Sequence, residues 1–328
     1  MADREGSTGA YREPNCDDGS TASATAVYDD VCVLIPTLDE SETIGDVVTG
    51  FRSQGFSNVL VVDGNSSDDT VAIAEENGAR VFVQSRNGKG QAVREALSQI
   101  DADYVLMVDG DGTYRPEDAD RMLEPVVSGR AEHVIGDRFA DMSDGAMTRV
   151  NRVGNRLING SFTFIHGRDL RDILSGYRAF TRESVDKLTL SSNGFGIETE
   201  MAVECVKRNV STRVVPISYD PRPADSDTNL HPIRDGGMIL LTLYRLAKTN
   251  NPLFYFGSVG LLSSIFGGFV GLYVGYRYFA MGVSHEVLAL LSAFGILFGV
   301  QLIMFGVLSD LIVTLHREQM ERFDTYED

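Results

Sequence analysis

Val105-Leu-Met-Val-Asp-Gly-Asp111 is an apolar run that stops at two carboxylates one residue apart. It belongs to a series of short apolar runs at 31–36, 58–63, 79–84, 104–109 and 133–136. Runs of this length and composition read as strands buried on both faces. The stretches between the first four, 40–54, 68–77 and 90–99, repeat their apolar residues at helical spacing, and 116–127 fills the last gap. Strands alternating with amphipathic helices predict an α/β domain with a Rossmann-like parallel sheet, covered on both faces and joined by right-handed crossovers. Ligands of such sheets sit beyond the carboxyl ends of the strands. Asp109 and Asp111 fall there.

Working outward, 149–210 looks more helical, over 149–165, 182–187 and 196–208, and a strand follows at 212–217. Residues 219–232 hold three prolines and three aspartates and read as a loop. Residues 1–27 are rich in Asp, Glu, Gly, Ser and Thr with few large apolar side chains, so they are expected to be disordered. They carry no apolar core of a secretory signal. Two uncharged apolar stretches, 253–276 and 287–308, are each long enough to cross the ~30 Å hydrocarbon of a bilayer, for which ~20 residues suffice. Arg245 and Lys248 precede them and Arg317 and Arg322 follow, so both termini are expected in the cytoplasm. The expected organisation is a catalytic domain over 28–232, a juxtamembrane amphipathic helix over 233–250, two transmembrane helices within 251–316 and a cytoplasmic tail over 317–328.

The 328 residues carry 47 acidic against 29 basic side chains, a formal charge of −18, which argues against a nucleic-acid partner. Only four of the basic residues are lysines. Scarce lysine with high negative charge points to a halophile's cytoplasmic surface, kept soluble by self-repulsion. Cys16, Cys32 and Cys205 are odd in number and far apart, supporting neither a zinc site nor a disulfide framework.

Two carboxylates at a strand end suit a hard divalent ion, Mg²⁺ or Mn²⁺, which takes oxygen ligands and bridges to substrate phosphates. In Val61-Val-Asp63-Gly-Asn-Ser66-Ser-Asp68 a second strand ends in a carboxylate, with serines placed to cap a helix. Ile35-Pro36-Thr-Leu38-Asp-Glu40 follows a third strand. Asn87-Gly88-Lys89-Gly90 precedes a helix whose start favours anions, its glycines letting backbone approach a ligand.

Together these motifs resemble glycosyltransferase family 2, and within it the dolichyl-phosphate glucose and mannose synthases, over about residues 30–235. Gly136-Asp-Arg138, Arg152–Asn155, Ser175-Gly-Tyr-Arg-Ala179 and Gly194-Phe-Gly-Ile-Glu-Thr-Glu200-Met strengthen the resemblance. The composition resembles a haloarchaeal member, the dolichyl-phosphate hexosyltransferase type of S-layer N-glycosylation. The resemblance implies a GT-A type domain. It implies that Pro36, Leu38, Glu40, Asp63, Lys89, Asp109 and Asp111 bind the nucleotide-sugar, with Asp109 and Asp111 holding the metal. It places Arg138, Ser175 and Arg178 on phosphates, with Arg149 and Arg152 as further acceptor-phosphate candidates, and gives Asp111, Arg138 and Arg178 to catalysis. The chain departs from the family at Thr113, where Gln or His is usual, and at Gly64, where Asp is frequent.

The implied reaction is inverting transfer of a hexose to dolichyl or polyprenyl phosphate by a multi-pass protein of the cell membrane. Glucose from UDP-glucose is the expected donor, and mannose from GDP-mannose the alternative. A sugar-phosphate nucleotidyltransferase is the other enzymatic reading, though its usual Gly-rich opening is absent near Val31. A non-catalytic membrane component is the reading outside enzymes.

Overall fold

The computed structural model describes residues 28–194, 196–223, 237, 241, 244 and 251–327, the last twelve of these as backbone. The segment expected to be disordered and almost all of the expected juxtamembrane helix lie outside the described residues.

Seven strands form one sheet in the order β3-β2-β1-β4-β6-β5-β7. Its first half is the predicted one. β1 (Val31–Thr37), β2 (Val59–Asp63), β3 (Arg80–Val83) and β4 (Tyr104–Met107) run parallel. They are linked by α1 (Ile44–Ser53), α2 (Thr70–Glu76) and α3 (Lys89–Leu97). Alternation along β1 shows why both faces are covered. Val31, Val33 and Ile35 join Ile44, Val48 and Phe51 of α1 on one side, and Cys32 and Leu34 join Val93, Ala96 and Leu97 of α3 on the other.

The second half departs from an all-parallel sheet. After α4 (Ala119–Val127), β5 (His133–Met142) is separated from β4 by β6 (Arg178–Thr181), which runs antiparallel to both. With only four residues, beginning in an arginine, β6 leaves no apolar periodicity to read. β7 (Thr212–Tyr219) pairs parallel to β5, whose register is irregular between Asp137 and Asp141. α5 (Arg149–His166), α6 (Arg182–Asp186) and α7 (Ile197–Lys207) complete this half, and Ile158 and Phe162 of α5 meet Ala202 and Val203 of α7 in a smaller core.

α8 (Pro252–Met281) and α9 (Glu286–Glu327) form a hairpin. Each contains a 30-residue stretch long and apolar enough to cross a membrane, with only 11 % of its most apolar part buried. That exposure argues against core helices of a water-soluble domain. Both outrun the predicted spans, and α9 continues as helix through the expected tail. Small residues line the seam between them. A side chain at Gly260 would meet the Gly299 carbonyl at 2.5 Å, and Ser263 and Ser292 donate to the carbonyls of Gly295 and Gly267. Close backbone approach of this kind holds helices together where lipid removes the hydrophobic drive.

Candidate active site

The carboxyl ends of β1, β2 and β4 deliver the site. Thr37 and Asp63 are register partners, and Leu34 pairs with Met107 just before the Val108-Asp109-Gly110-Asp111 segment. Pro36 fits in a central strand because its missing N–H faces the β4 side after that pairing has ended. The Leu34 carbonyl takes Val108 N–H there, whereas Thr37 turns to Gly64. The loops after β1 and β2 are stitched together. Asp39 N–H donates to Ser66 Oγ, Glu40 N–H to Thr70 Oγ1, Ser41 N–H to Asp68 Oδ2, and Ser67 N–H to Asp39 Oδ1. A side chain at Gly64 would lie 3.0 Å from the Thr37 carbonyl and 3.2 Å from Leu38 Cβ. The glycine therefore lets the two loops close on one another.

Four of the predicted residues converge with two others. Lys89 Nζ lies 2.5 Å from Asp109 Oδ1 and 2.5 Å from Glu198 Oε1. Arg222 Nη2 is 2.9 Å from Asp111 Oδ2 and 3.2 Å from Glu40 Oε1. Thr113 donates through Oγ1 (2.6 Å) and N–H (3.1 Å) to the other oxygen of Asp111. In place of a Gln or His side chain, the chain thus has a hydroxyl that orients the second aspartate. Burial would lower the Lys89 ammonium, but Asp109 and Glu198 outweigh it and raise its pKa. Burial pushes Glu40 up to about 7, against the pull of Arg222 and with the charges of Asp111 and Asp109. Burial likewise opposes the Arg222 charge, and Asp111 and Glu40 overcome it.

Gly88 and Gly90 make a close backbone approach within the chain itself. A side chain at either would strike the backbone carbonyl of Asn193 (2.1 Å) or Ser192 (2.3 Å). The glycines dock the start of α3 against the 190–194 loop, and Glu200 holds that loop through the N–H groups of Ser191 and Ser192. This joint aims Lys89 between Asp109 and Glu198. Gly176 supports Asp109 in the same way, since a Cβ there would meet Asp109 Oδ2 at 2.3 Å. Gly176→Ala is expected to displace Asp109 and lower turnover at least ~10-fold with little change in thermal midpoint, because one transition-state contact is worth at least this much. Equal turnover in wild type and variant would overturn that role for Gly176.

The other expected site residues have the following surroundings in the ligand-free fold. Arg178 has no exposed surface. Its Nε donates to the Ser175 carbonyl, its Nη2 to the carbonyls of Ile173 and Glu198, and its Nη1 meets His133 Nε2. An arginine does not accept hydrogen bonds, so the imidazole accepts there; burial and the Arg178 charge hold His133 neutral. Arg178 therefore braces the chain between β6 and α7 and does not face a phosphate. Ser175 is also fully buried and serves Arg178 through its carbonyl. Arg138 forms a two-pronged pair with buried Asp172 (2.7 and 2.8 Å), reaches Asn155 of α5 and lies over the Tyr219 ring. Asp63 turns both oxygens onto Ser66 of its own loop. Arg149 and Arg152 stand on α5, Arg149 exposed and Arg152 against Met142 Sδ. Leu38 is partly exposed beside Gly64.

Sequence reasoning gave no role to Glu198 or Asp172. Glu198 lies inside a motif already quoted, and Asp172 three residues before another. Glu198 is in the first turn of a helix opened by Gly196, and its spacing from Lys89 carries no signal along the chain.

Among the described residues no group of three or more His, Cys, Asp or Glu side chains converges as a metal set. Two carboxylates plus substrate oxygens is nevertheless a usual demand of Mg²⁺. Among the described residues, Glu40, Asp109, Asp111 and Glu198 pair with two cations, Lys89 and Arg222, leaving an excess of negative charge there. The donor set fits a hard divalent cation.

Residues 32–189 match the glycosyl transferase family 2 description. The chain is 65 % identical over 300 residues to glycosyltransferase AglJ of Haloferax volcanii, covering 91 % of this chain and 99 % of that protein. It is 32 % identical over 214 residues to the dolichyl-phosphate hexose transferase of the same organism, covering 65 % and 91 %. Among solved structures, glucosyl-3-phosphoglycerate synthase from Mycobacterium tuberculosis, in complex with Mn²⁺, UDP-glucose and phosphoglyceric acid, matches with TM-score 0.56 and 22 % identity over 72 % of this chain and 86 % of that one. That likeness is one of fold.

Proposed function

Because the chain belongs to glycosyl transferase family 2 and is a glycosyltransferase, we propose that it moves a hexose, with inversion, from a nucleotide-sugar to the phosphate of a dolichyl or other polyprenyl lipid. The observation that carries this reading is the carboxylate and cation cluster at the strand tips, on a chain that also bears two helices long and apolar enough to cross a bilayer. A relative of the same family is a dolichyl-phosphate hexose transferase. Glucose from UDP-glucose is the proposed donor and mannose from GDP-mannose the second choice. The lipid-linked sugar would serve protein N-glycosylation of an S-layer. Both termini and the catalytic domain are assigned to the cytoplasmic side.

A phosphate monoester, with a second pKa near ~6, is mostly a dianion at neutral pH and is already a nucleophile. The chain then needs no dedicated base, and positioning and electrostatics carry the rate. Asp109 and Asp111 would hold Mg²⁺ or Mn²⁺, which would neutralise the departing nucleoside diphosphate. Thr113 fixes Asp111, and Gly176 and Lys89 fix Asp109. Lys89 and Arg222 are the cations nearest those carboxylates and suit oxygens of the diphosphate.

Membranes containing the protein, given each labelled nucleotide-sugar in turn, are expected to yield a labelled lipid-extractable product from UDP-glucose. Excess chelator is expected to abolish it and added Mn²⁺ or Mg²⁺ to restore it. Undiminished transfer in chelator would count against the metal, and release of pyrophosphate from a nucleoside triphosphate would favour the nucleotidyltransferase reading.

A further inference from the structure

Helix α5 carries two faces that a water-soluble acidic protein does not need. Ile158, Phe162 and Ile165 are buried in the core. Val150, Val153, Leu157 and Phe164 are instead 66, 66, 59 and 75 % exposed. At about 100° per residue these four fall within about 60° of one another, a single stripe turned about 120° from the buried side. Arg149 and Arg156, both exposed, flank it. The charge pattern changes over the same stretch. Acidic residues make up 47 of 328 positions, yet 145–168 contains Arg149, Arg152, Arg156 and Arg168 and no carboxylate.

The end of the stripe meets the membrane hairpin. The Phe164 ring packs edge-on against Phe254 in the first turn of α8, with centroids 5.6 Å apart. Asn251, which caps α8, donates from Nδ2 to the Ile165 carbonyl at 2.8 Å. The apolar stripe is therefore continuous with the point where the chain enters its candidate span. We propose that α5 lies in the bilayer surface, with Val150, Val153, Leu157 and Phe164 among the upper acyl chains and Arg149 and Arg156 at the anionic headgroups. An exposed apolar face beside a basic one is the pattern of an interfacial helix. Arginine suits that border because its apolar stem follows the chains while the guanidinium remains with phosphate. The consequence for the site is positional. Asn155 of α5 holds Arg138, and Arg138 grips Asp172 and covers Tyr219. A helix resting on the membrane then fixes the height and tilt of that end of the domain.

The chain has no tryptophan, so a single one reports its surroundings. Val150→Trp, Leu157→Trp and Glu183→Trp of the full chain are reconstituted in vesicles of anionic lipid, with and without bromine on the upper acyl carbons. Glu183 is exposed on α6, which follows the end of β6 beside the first residues of β4 and β5, whereas α5 follows the far end of β5. Trp at 150 and 157 is expected to emit at shorter wavelength than Trp at 183 and to lose at least about half its emission to brominated lipid, while Trp at 183 loses little. An unquenched Trp at 150 or 157 overturns the proposal. Short-wavelength emission without bromine quenching also does so, since it would put a second protein surface on the stripe. Sugar transfer is not read in this experiment, so it fails or succeeds separately from the proposed reaction.

Discussion

Asp111→Ala is expected to lower turnover by at least ~10²-fold in a chain that stays folded, the scale of losing one preorganised transition-state stabiliser. Asp111 has one oxygen fixed by Thr113 and the other shared with Arg222. Removing it takes away both the proposed ion ligand and the anchor that positions Arg222. Asp111→Asn, which keeps the shape and loses the charge, separates these effects. If charge is what matters, Asn is nearly as poor as Ala, and the loss is not made good by excess Mn²⁺. Near-normal turnover in either folded variant would remove the metal role from Asp111.

Arg178→Ala gives a large effect of another kind. Three carbonyls, those of Ile173, Ser175 and Glu198, lose their donor in a site without solvent. An unsatisfied buried polar group costs about 1–3 kcal/mol. The expected loss is on the order of 3–5 kcal/mol, comparable to breaking a buried charged pair. That corresponds to a fall in thermal midpoint of roughly 10 °C for a domain of this size. Arg178→Lys rescues poorly, because one ammonium does not reproduce the fork. An unchanged midpoint with lost turnover would return Arg178 to the phosphate-binding role that its motif suggested.

These two residues show where the sequence was legible. Asp111 and Glu40 follow apolar runs whose strand character is local, and the rule placing ligands beyond parallel strand ends then locates them without tertiary knowledge. The parallel half of the sheet was readable for the same reason. Arg178 sits in a motif that marked importance without saying for what. Its role depends on an antiparallel strand of four residues, inserted between two others, that brings His133 and Glu198 around it. No periodicity encodes that insertion. Gly88 and Gly90 show the same limit, since their need for close approach was evident but the partner, a loop about 100 residues later, was not. The acidic composition also hid an exception, because a bulk charge of −18 says nothing about one helix without a carboxylate.

The guanidinium of Arg222, lodged between Glu40 and Asp111, has a consequence for the order in which ligands assemble. A cation at the proposed Asp109–Asp111 site would displace this guanidinium from Asp111, which would lower its affinity when it arrives alone. A diphosphate arriving with it would give the displaced guanidinium a new partner and offset that loss. On the proposed reading, ion and donor would then enhance each other's occupancy by the same factor, a heterotropic synergy.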